Sequence, residues 1–164
     1  MAEIILMCGM ICSGKSHHAK RLAKEKNAVI LSTDEATKIL INNEQGDFYL
    51  EFVDKVNLYL RKKAVDIVKT GTNVILDWGF WTKEDRRNIK SFLSENGVSY
   101  SMYFISISDS DWERNIKERN ERIEKGEGGS DFYVDEGLKN KVLSVFEAPD
   151  KSEIDYVILN ERNI

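Results

Sequence analysis

No stretch of this sequence is apolar for long enough to cross a bilayer. The first residues carry neither the basic start nor the small-residue cleavage site of a secretory signal. Cytoplasm is therefore the expected compartment. Basic residues are not in excess: 24 Lys and Arg against 28 Asp and Glu give a formal net charge of −4. Such a chain has no overall pull toward nucleic acid or anionic lipid, although this leaves room for a local basic patch. Cysteine is scarce. Cys8 and Cys12 stand too close to staple a small fold, and no second pair completes a metal site. Both are expected as reduced thiols, with Cys12 at a position where oxidation would obstruct a ligand. The single proline, Pro149, is expected at a turn before the last strand. There is no internal repeat. The one low-complexity patch, EKGEGGS (124–130), reads as a mobile connection inside a domain rather than a boundary.

What remains is 164 residues with 41% hydrophobic and 32% charged side chains, the balance of one soluble domain with a single core. Five β-rich runs alternate with helical patterns. The strands are expected at 3–8, 28–32, 73–77, 100–108 and 155–160. The helices are expected at 15–26, 33–42, 47–70, 83–95, 110–124 and 134–147. Alternation of this kind argues for a parallel sheet with helices on both faces. Ser32 with Glu35 and Ser110 with Glu113 form S-x-x-E capping boxes, and Thr82 with Asp85 a weaker one. Gly71 and Gly97 sit where helix C-caps belong.

The sharpest signal is GMICSGKS (9–16). It fits G-x-x-x-x-G-K-[ST] with Gly9, Gly14, Lys15 and Ser16, between a buried strand and a helix. In that context, backbone N–H groups from about Cys12 through Ser13 to His17 point into one concavity at the positive end of the helix dipole. Gly14 admits close main-chain approach to a phosphate. Lys15 would bridge the outer phosphates and the Ser16 hydroxyl would ligate Mg²⁺. The alternative is a turn that only joins strand to helix. His17 and His18 read as neutral side chains rather than catalysts, since a cation is disfavoured in the first helical turn.

A bound triphosphate can be transferred, hydrolysed to drive motion or used as a switch. The chain has no N-K-x-D sequence, and its third strand ends in the single acid Asp77; a small kinase fits that economy best. Asp34, in LSTDE, lies just past the second strand, at the sheet edge where ligands collect. It would accept a hydroxyl proton and orient the oxygen for in-line attack, or it serves only as an acid in a first helical turn. The same dipole is expected to depress its pKa. Asp77 would hold Mg²⁺ through water, touch the acceptor or cap a loop. Trp78, Phe80 and Trp81 crowd the same edge, as core or as the wall of an acceptor pocket.

Further on, Trp112, Ile116, Arg119 and Ile123 share one helical face. An arginine in an apolar stripe needs an anionic partner. That partner is either a structural carboxylate or the triphosphate, on which Arg119 would neutralise developing charge. Arg122 lies on the flank and Arg114 faces away. The glycine-rich tail of this helix reads as a hinge that lets 115–147 close as a lid.

GMICSGKS, LSTDE, VILDWGFWTKEDR, ERNERI and FEAPDKSEIDYVI occur in one order. Together they resemble the small P-loop kinases of the AAA-domain, zeta-toxin-like group, relatives of polynucleotide 5′-hydroxyl kinase and chloramphenicol phosphotransferase. The resemblance implies a three-layer α/β P-loop kinase fold over 1–164: a five-stranded parallel sheet of order 2-3-1-4-5 with a helical lid. It implies Asp34 as the hydroxyl-activating acid, Asp77 as the acid of the third strand, Arg86 or Arg87 as a substrate-side basic residue and Arg119 as the lid arginine. It also implies an adenine seat around Pro149 to Glu153. The chain departs from the family pattern at Trp78, where a small residue is common, and at Asn115, where a further arginine is common.

The reading is an ATP- and Mg²⁺-dependent phosphotransferase acting on a hydroxyl of a small molecule. Lys15, Asp34 and Arg119 are the catalytic residues. Gly9, Cys12, Ser13, Gly14, Lys15, Ser16, His17, Arg119 and Arg122 bind nucleotide. Asp34, Asp77, Trp78 and Arg86 meet the acceptor, and Ser16 and Asp77 hold the metal. The rivals are a polynucleotide 5′-hydroxyl kinase and a nucleotide-binding module without acceptor chemistry.

Overall fold

The structure is a computed structural model; it describes residues 1–41, 48–129 and 131–160. The chain runs β1 (Ile4–Cys8), α1 (Lys15–Lys26), β2 (Ala28–Ser32), α2 (Thr33–Ile41), α3 (Tyr49–Lys69), β3 (Asn73–Gly79), α4 (Lys83–Glu95), β4 (Tyr100–Ser106), α5 (Asp109–Glu124), α6 (Glu136–Val145), a 3₁₀ turn (Lys151–Glu153) and β5 (Tyr156–Leu159). The expected helix edges at residues 42 and 47, and Ser130 of the glycine-rich patch, lie outside the described residues.

The strands form one sheet of order β2-β3-β1-β4-β5, every pair parallel. This is the expected order. Because β1 is central, both its faces are covered, which is why its residues read as an unbroken apolar run. Ile4, Leu6 and Cys8 pack toward Ala64, Val65 and Val68 of α3 and Ile89 and Leu93 of α4. Ile5 and Met7 pack toward Ala19 and Leu22 of α1. A third cluster lies around the glycine loop. There Cys12 packs with Trp112 and Ile116 of α5, with Val134 and with Val142 of α6.

Two expectations need correction. The cap of α5 is Ser108, whose hydroxyl accepts from the Asp111 N–H, so the helix begins before Ser110 and the Ser110–Glu113 box does not form. An extended Ser108 already supplies the oxygen that the first turn needs. Second, Asp77 does not end its strand. β3 continues to Gly79 through a register shift between the β1 residues Leu6 and Cys8. A bulge of this kind re-aims side chains at a sheet edge. β2 is an edge strand, and its Val29 is exposed. Two other local signals hold. Thr82 and Asp85 form a reciprocal capping box, and Gly71 and Gly97, both at positive φ, follow the ends of α3 and α4.

Candidate active site

Parallel pairing brings the C-terminal ends of β1, β2 and β3 to one edge. Ser32 pairs with Asp77 and Cys8 with Gly79. The glycine loop (9–14) leaves this edge and returns into α1. Gly9 donates to the Gly79 carbonyl at 3.0 Å, so the ladder is held up to the point where the loop departs. A Cβ on Gly9 would stand 2.9 Å from Ser13 Oγ and 3.0 Å from the Ile105 carbonyl. The first intrahelical bond of α1 runs from His18 N–H to the Gly14 carbonyl. The N–H groups of Lys15, Ser16 and His17 thus have no intrahelical acceptor and mark the positive end of the helix.

Ser16 Oγ donates to Asp77 Oδ2 at 2.7 Å, joining the loop to the acid of β3. Lys15 Nζ donates to the Met10 carbonyl at 2.6 Å. The ammonium therefore lies folded across the loop, on a neutral acceptor. Burial pushes the Lys15 pKa below its ordinary value; the carboxylates of Asp77 and Asp34 oppose this and Arg119 adds to it. These groups stand near enough for their charges to act on the ammonium of Lys15.

Asp34 sits in the first turn of α2, after Ser32, whose hydroxyl accepts from the Glu35 N–H at 3.3 Å. Its side chain is open to solvent, on a helix that packs against α3. Loss of surrounding water raises its pKa, Lys15 pulls the other way, and Asp77 adds to the rise. The expected depression by the helix dipole is overturned, because desolvation outweighs it. Next to it, Thr33 donates to Asn57 of α3 at 2.6 Å, and Tyr49 lies close enough for Asp34 to raise its pKa alongside burial. Sequence reasoning passed over Thr33, Tyr49 and Asn57; no motif marks them.

The aromatic trio divides. Trp78 and Phe80 pack toward the α3/α4 core with ring centroids 5.6 Å apart, and Trp81 packs into the loop cluster. The indole N–H of Trp78 is buried with no partner among the described residues. Arg86 is turned inward, onto the protein itself. It is 1% exposed, and its guanidinium grips Glu153 through two nitrogens, at 3.0 and 3.2 Å, and the carbonyls of Phe80, Trp81 and Glu147. A charge buried this deeply must be met by protein oxygens, and here they belong to the end of β3 and to the chain entering β5. Lys83 and Lys90 also hold the Pro149–Glu153 segment, through Asp150 and the Glu153 carbonyl. A broad open groove of about 990 Å³ beside this segment is lined by α4 residues and lies away from Lys15, Asp34 and Asp77.

On α5, Trp112 and Ile116 are buried and Arg119 is partly covered, as the wheel predicts. Arg119 meets Asp131 at 3.4 Å and Arg122 meets the other oxygen of the same carboxylate at 3.1 Å. In this state the partner of both arginines is thus a structural acid. The extended chain that carries Asp131 is fixed to α5 by Asn120, which exchanges two hydrogen bonds with the Val134 backbone. Both cysteines are free and buried. Burial pushes the Cys8 thiol up to about 11 and raises that of Cys12, which packs with Trp112, Ile116 and Val142. His18 is held below its ordinary pKa by burial, against a hydrogen bond from its ring to Asn160, and is therefore neutral at pH 7.

A divalent ion of Mg²⁺ type takes hard oxygen donors and keeps several waters, often binding through one or two carboxylates plus substrate phosphates. The Ser16 hydroxyl and the Asp77 carboxylate, 2.7 Å apart at the mouth of the loop, fit that donor set.

A family model described as "AAA domain" (AAA_33) matches residues 4–149. No curated protein sequence matches the chain. Solved structures do. A protein described as a kinase from Chloroflexus aurantiacus is 14% identical with a TM-score of 0.71, covering 96% of this chain and 84% of its own. The APS kinase CysC of Mycobacterium tuberculosis, solved with AMPPNP and APS, is 18% identical with a TM-score of 0.67, covering 99% and 90%. The Pnkp1/Rnl/Hen1 RNA repair complex contains a chain 17% identical with a TM-score of 0.63, covering 87% of this chain and 43% of that one. At such identities the likeness is one of fold. A glycine loop on the central strand, a sheet of order β2-β3-β1-β4-β5 and a family match over nearly the whole chain lead to one conclusion: this chain belongs to the AAA-domain family and is built as a small P-loop kinase.

Proposed function

We propose that the protein transfers the γ-phosphoryl group of ATP to a hydroxyl of a small molecule. The observation that carries this is the Ser16–Asp77 hydrogen bond at 2.7 Å, with Lys15 and Asp34 acting on the same cleft. Lys15 exchanges the Met10 carbonyl for phosphate oxygens, a stronger charge-assisted partner. The loop amides and the first turn of α1 hold the polyphosphate. Ser16 and Asp77 would hold Mg²⁺, which would supply neutralising positive charge to the polyphosphate. Asp34 takes the hydroxyl proton as the acceptor oxygen bonds to the γ-phosphorus and the bond from that phosphorus to the bridging oxygen breaks, leaving ADP. Its raised pKa suits a base better than a depressed one would. Phosphoryl transfer passes through a loose transition state, so most of the effect comes from position and charge.

Arg119 completes the site by leaving Asp131 for the transferring group, with residues 115–147 acting as the lid. Asp131 then competes with the nucleotide for both arginines. The Asp131→Asn variant is expected to bind ATP roughly two- to fivefold more tightly, the scale of a partly exposed ion pair, by isothermal calorimetry. Unchanged affinity would remove Asp131 from this role.

The main test supplies ATP and Mg²⁺ with a panel of hydroxyl compounds, and separately with single-stranded oligonucleotides bearing a 5′-hydroxyl. ADP release that rises with a small alcohol supports the reading. Release that rises only with oligonucleotides would move the acceptor to nucleic acid, the reading suggested by the likeness to the RNA repair complex. Binding of ATP with no acceptor-dependent ADP would leave a nucleotide-binding module.

A further inference from the structure

Three consecutive carbonyls of the glycine loop are each held from outside by a side chain distant in sequence. The Trp112 indole N–H donates to the Ile11 carbonyl at 2.8 Å. The Asn115 amide donates to the Cys12 carbonyl at 2.9 Å. The Asn160 amide donates to the Ser13 carbonyl at 2.8 Å. Two of these donors come from α5 and the third from the chain just past β5.

In a trans peptide the carbonyl of one residue and the N–H of the next point in opposite directions. Pulling the carbonyls of residues 11, 12 and 13 outward therefore turns the following N–H groups to the opposite side; that of Ser13 is donated to the Met10 carbonyl at 3.3 Å, and those of Cys12 and Gly14 face the side where an anion would sit. Each donor is neutral, so none competes with the loop for the anion. The arrangement also gives Gly14 a second reason to lack a side chain. A Cβ there would lie 2.5 Å from the Asn160 amide nitrogen, and the residue has φ +94°. Asn160 is itself oriented, since its carbonyl oxygen lies 3.2 Å from His18 Nε2. With that oxygen as the acceptor, Nε2 is the protonated ring nitrogen and Asn160 presents its NH₂ to Ser13. This is a use for Asn115 and for His18 that no motif contains.

We propose that Trp112, Asn115 and Asn160 are positioning residues for polyphosphate: they hold the loop peptides in the anion-binding orientation before nucleotide arrives. The inference rests on the loop being a polyphosphate site, as argued above. Preorganisation of this sort saves reorganisation on binding, so its loss is read in affinity.

The test measures binding of inorganic tripolyphosphate and of ATP by calorimetry to wild type, Asn115→Leu and Asn160→Ala, with melting temperature recorded for each. Val142→Ala serves as a control: it sits in the same cluster, fully buried, and donates to no loop carbonyl. Each Asn variant is expected to lose about tenfold in affinity for both ligands, the scale of one hydrogen bond. Val142→Ala is expected to lose melting temperature and keep its affinity. Should Asn115→Leu fail to fold, Asn160→Ala, at the end of the described chain, carries the test alone. Wild-type affinity in the Asn variants overturns the inference, and so does an equal loss in Val142→Ala, which would make the effect one of general stability. A wild type that binds no tripolyphosphate removes the polyphosphate reading first and this inference with it.

Discussion

Replacing Asp34 by Asn is expected to leave ATP binding nearly intact and to lower acceptor phosphorylation by a factor of about 10²–10⁴, the contribution of a positioned general base. Asn keeps the size of the side chain and can still hydrogen-bond the hydroxyl, but it cannot take the proton. The loss should appear in kcat and kcat/KM together, because the missing interaction exists only in the transition state. The variant should also be more stable than wild type at neutral pH. The folded protein holds the Asp34 carboxyl above its ordinary value of 3.8, chiefly by desolvation, so folding disfavours the charged form. That penalty sets in as pH rises through the ordinary value and is complete above the folded one. The gain in melting temperature from Asp34→Asn should therefore vanish in acid. Undiminished turnover would refute the catalytic role; no gain at neutral pH would refute the strain.

Replacing Arg86 by Met is expected to cost about 3–5 kcal/mol of stability, the range for breaking a buried ion pair. Against a typical total of about 5–15 kcal/mol, that is enough to unfold much of the population near body temperature. The guanidinium is 1% exposed and joins Phe80 and Trp81, at the end of β3, to Glu147 and Glu153, on the way to β5. Met fills the volume but leaves the Glu153 carboxylate without its cation. The pH dependence should change as well. The Arg86 hydrogen bond holds the Glu153 carboxyl below its ordinary value of 4.5, with bonding to the Asp150 N–H adding to the effect. A depressed carboxyl contributes stability that is present above the ordinary value and lost as pH falls through the folded one. In wild type, melting temperature should fall over that acid range, and in Arg86→Met the fall should be shallower. Denaturant titrations at neutral pH and at about pH 3 check both statements. A variant as stable as wild type would show that the buried pair is dispensable.

Read from the residues, the local structure was almost fully legible. The glycine loop, the alternation of strands and helices and most element ends follow from interactions that span about four residues or fewer. The Thr82 cap formed as read. Ser110 lost its cap to Ser108 because two nearby serines satisfy the same spacing, and backbone dihedrals choose between them. The order of the strands came from a resemblance and not from periodicity, since a period of two or of 3.6 says nothing about which strands are neighbours.

The chain by itself determined where an anion would be held: a buried strand, a Gly-containing loop and a helix start place N–H groups, an ammonium and a hydroxyl within one turn of each other. Only the tertiary structure decided what each of those groups meets. Asp77 reaches Ser16 across 61 positions, Asn115 reaches Cys12 across 103 and Asn160 reaches Ser13 across 147. Arg86 and Arg119, both arginines on helices, received different fates, one sealed on Glu153 and the other held by the carboxylate of Asp131. The reason is that burial and partner choice depend on how distant segments cross, and a helix wheel records only the face, never what stands opposite it.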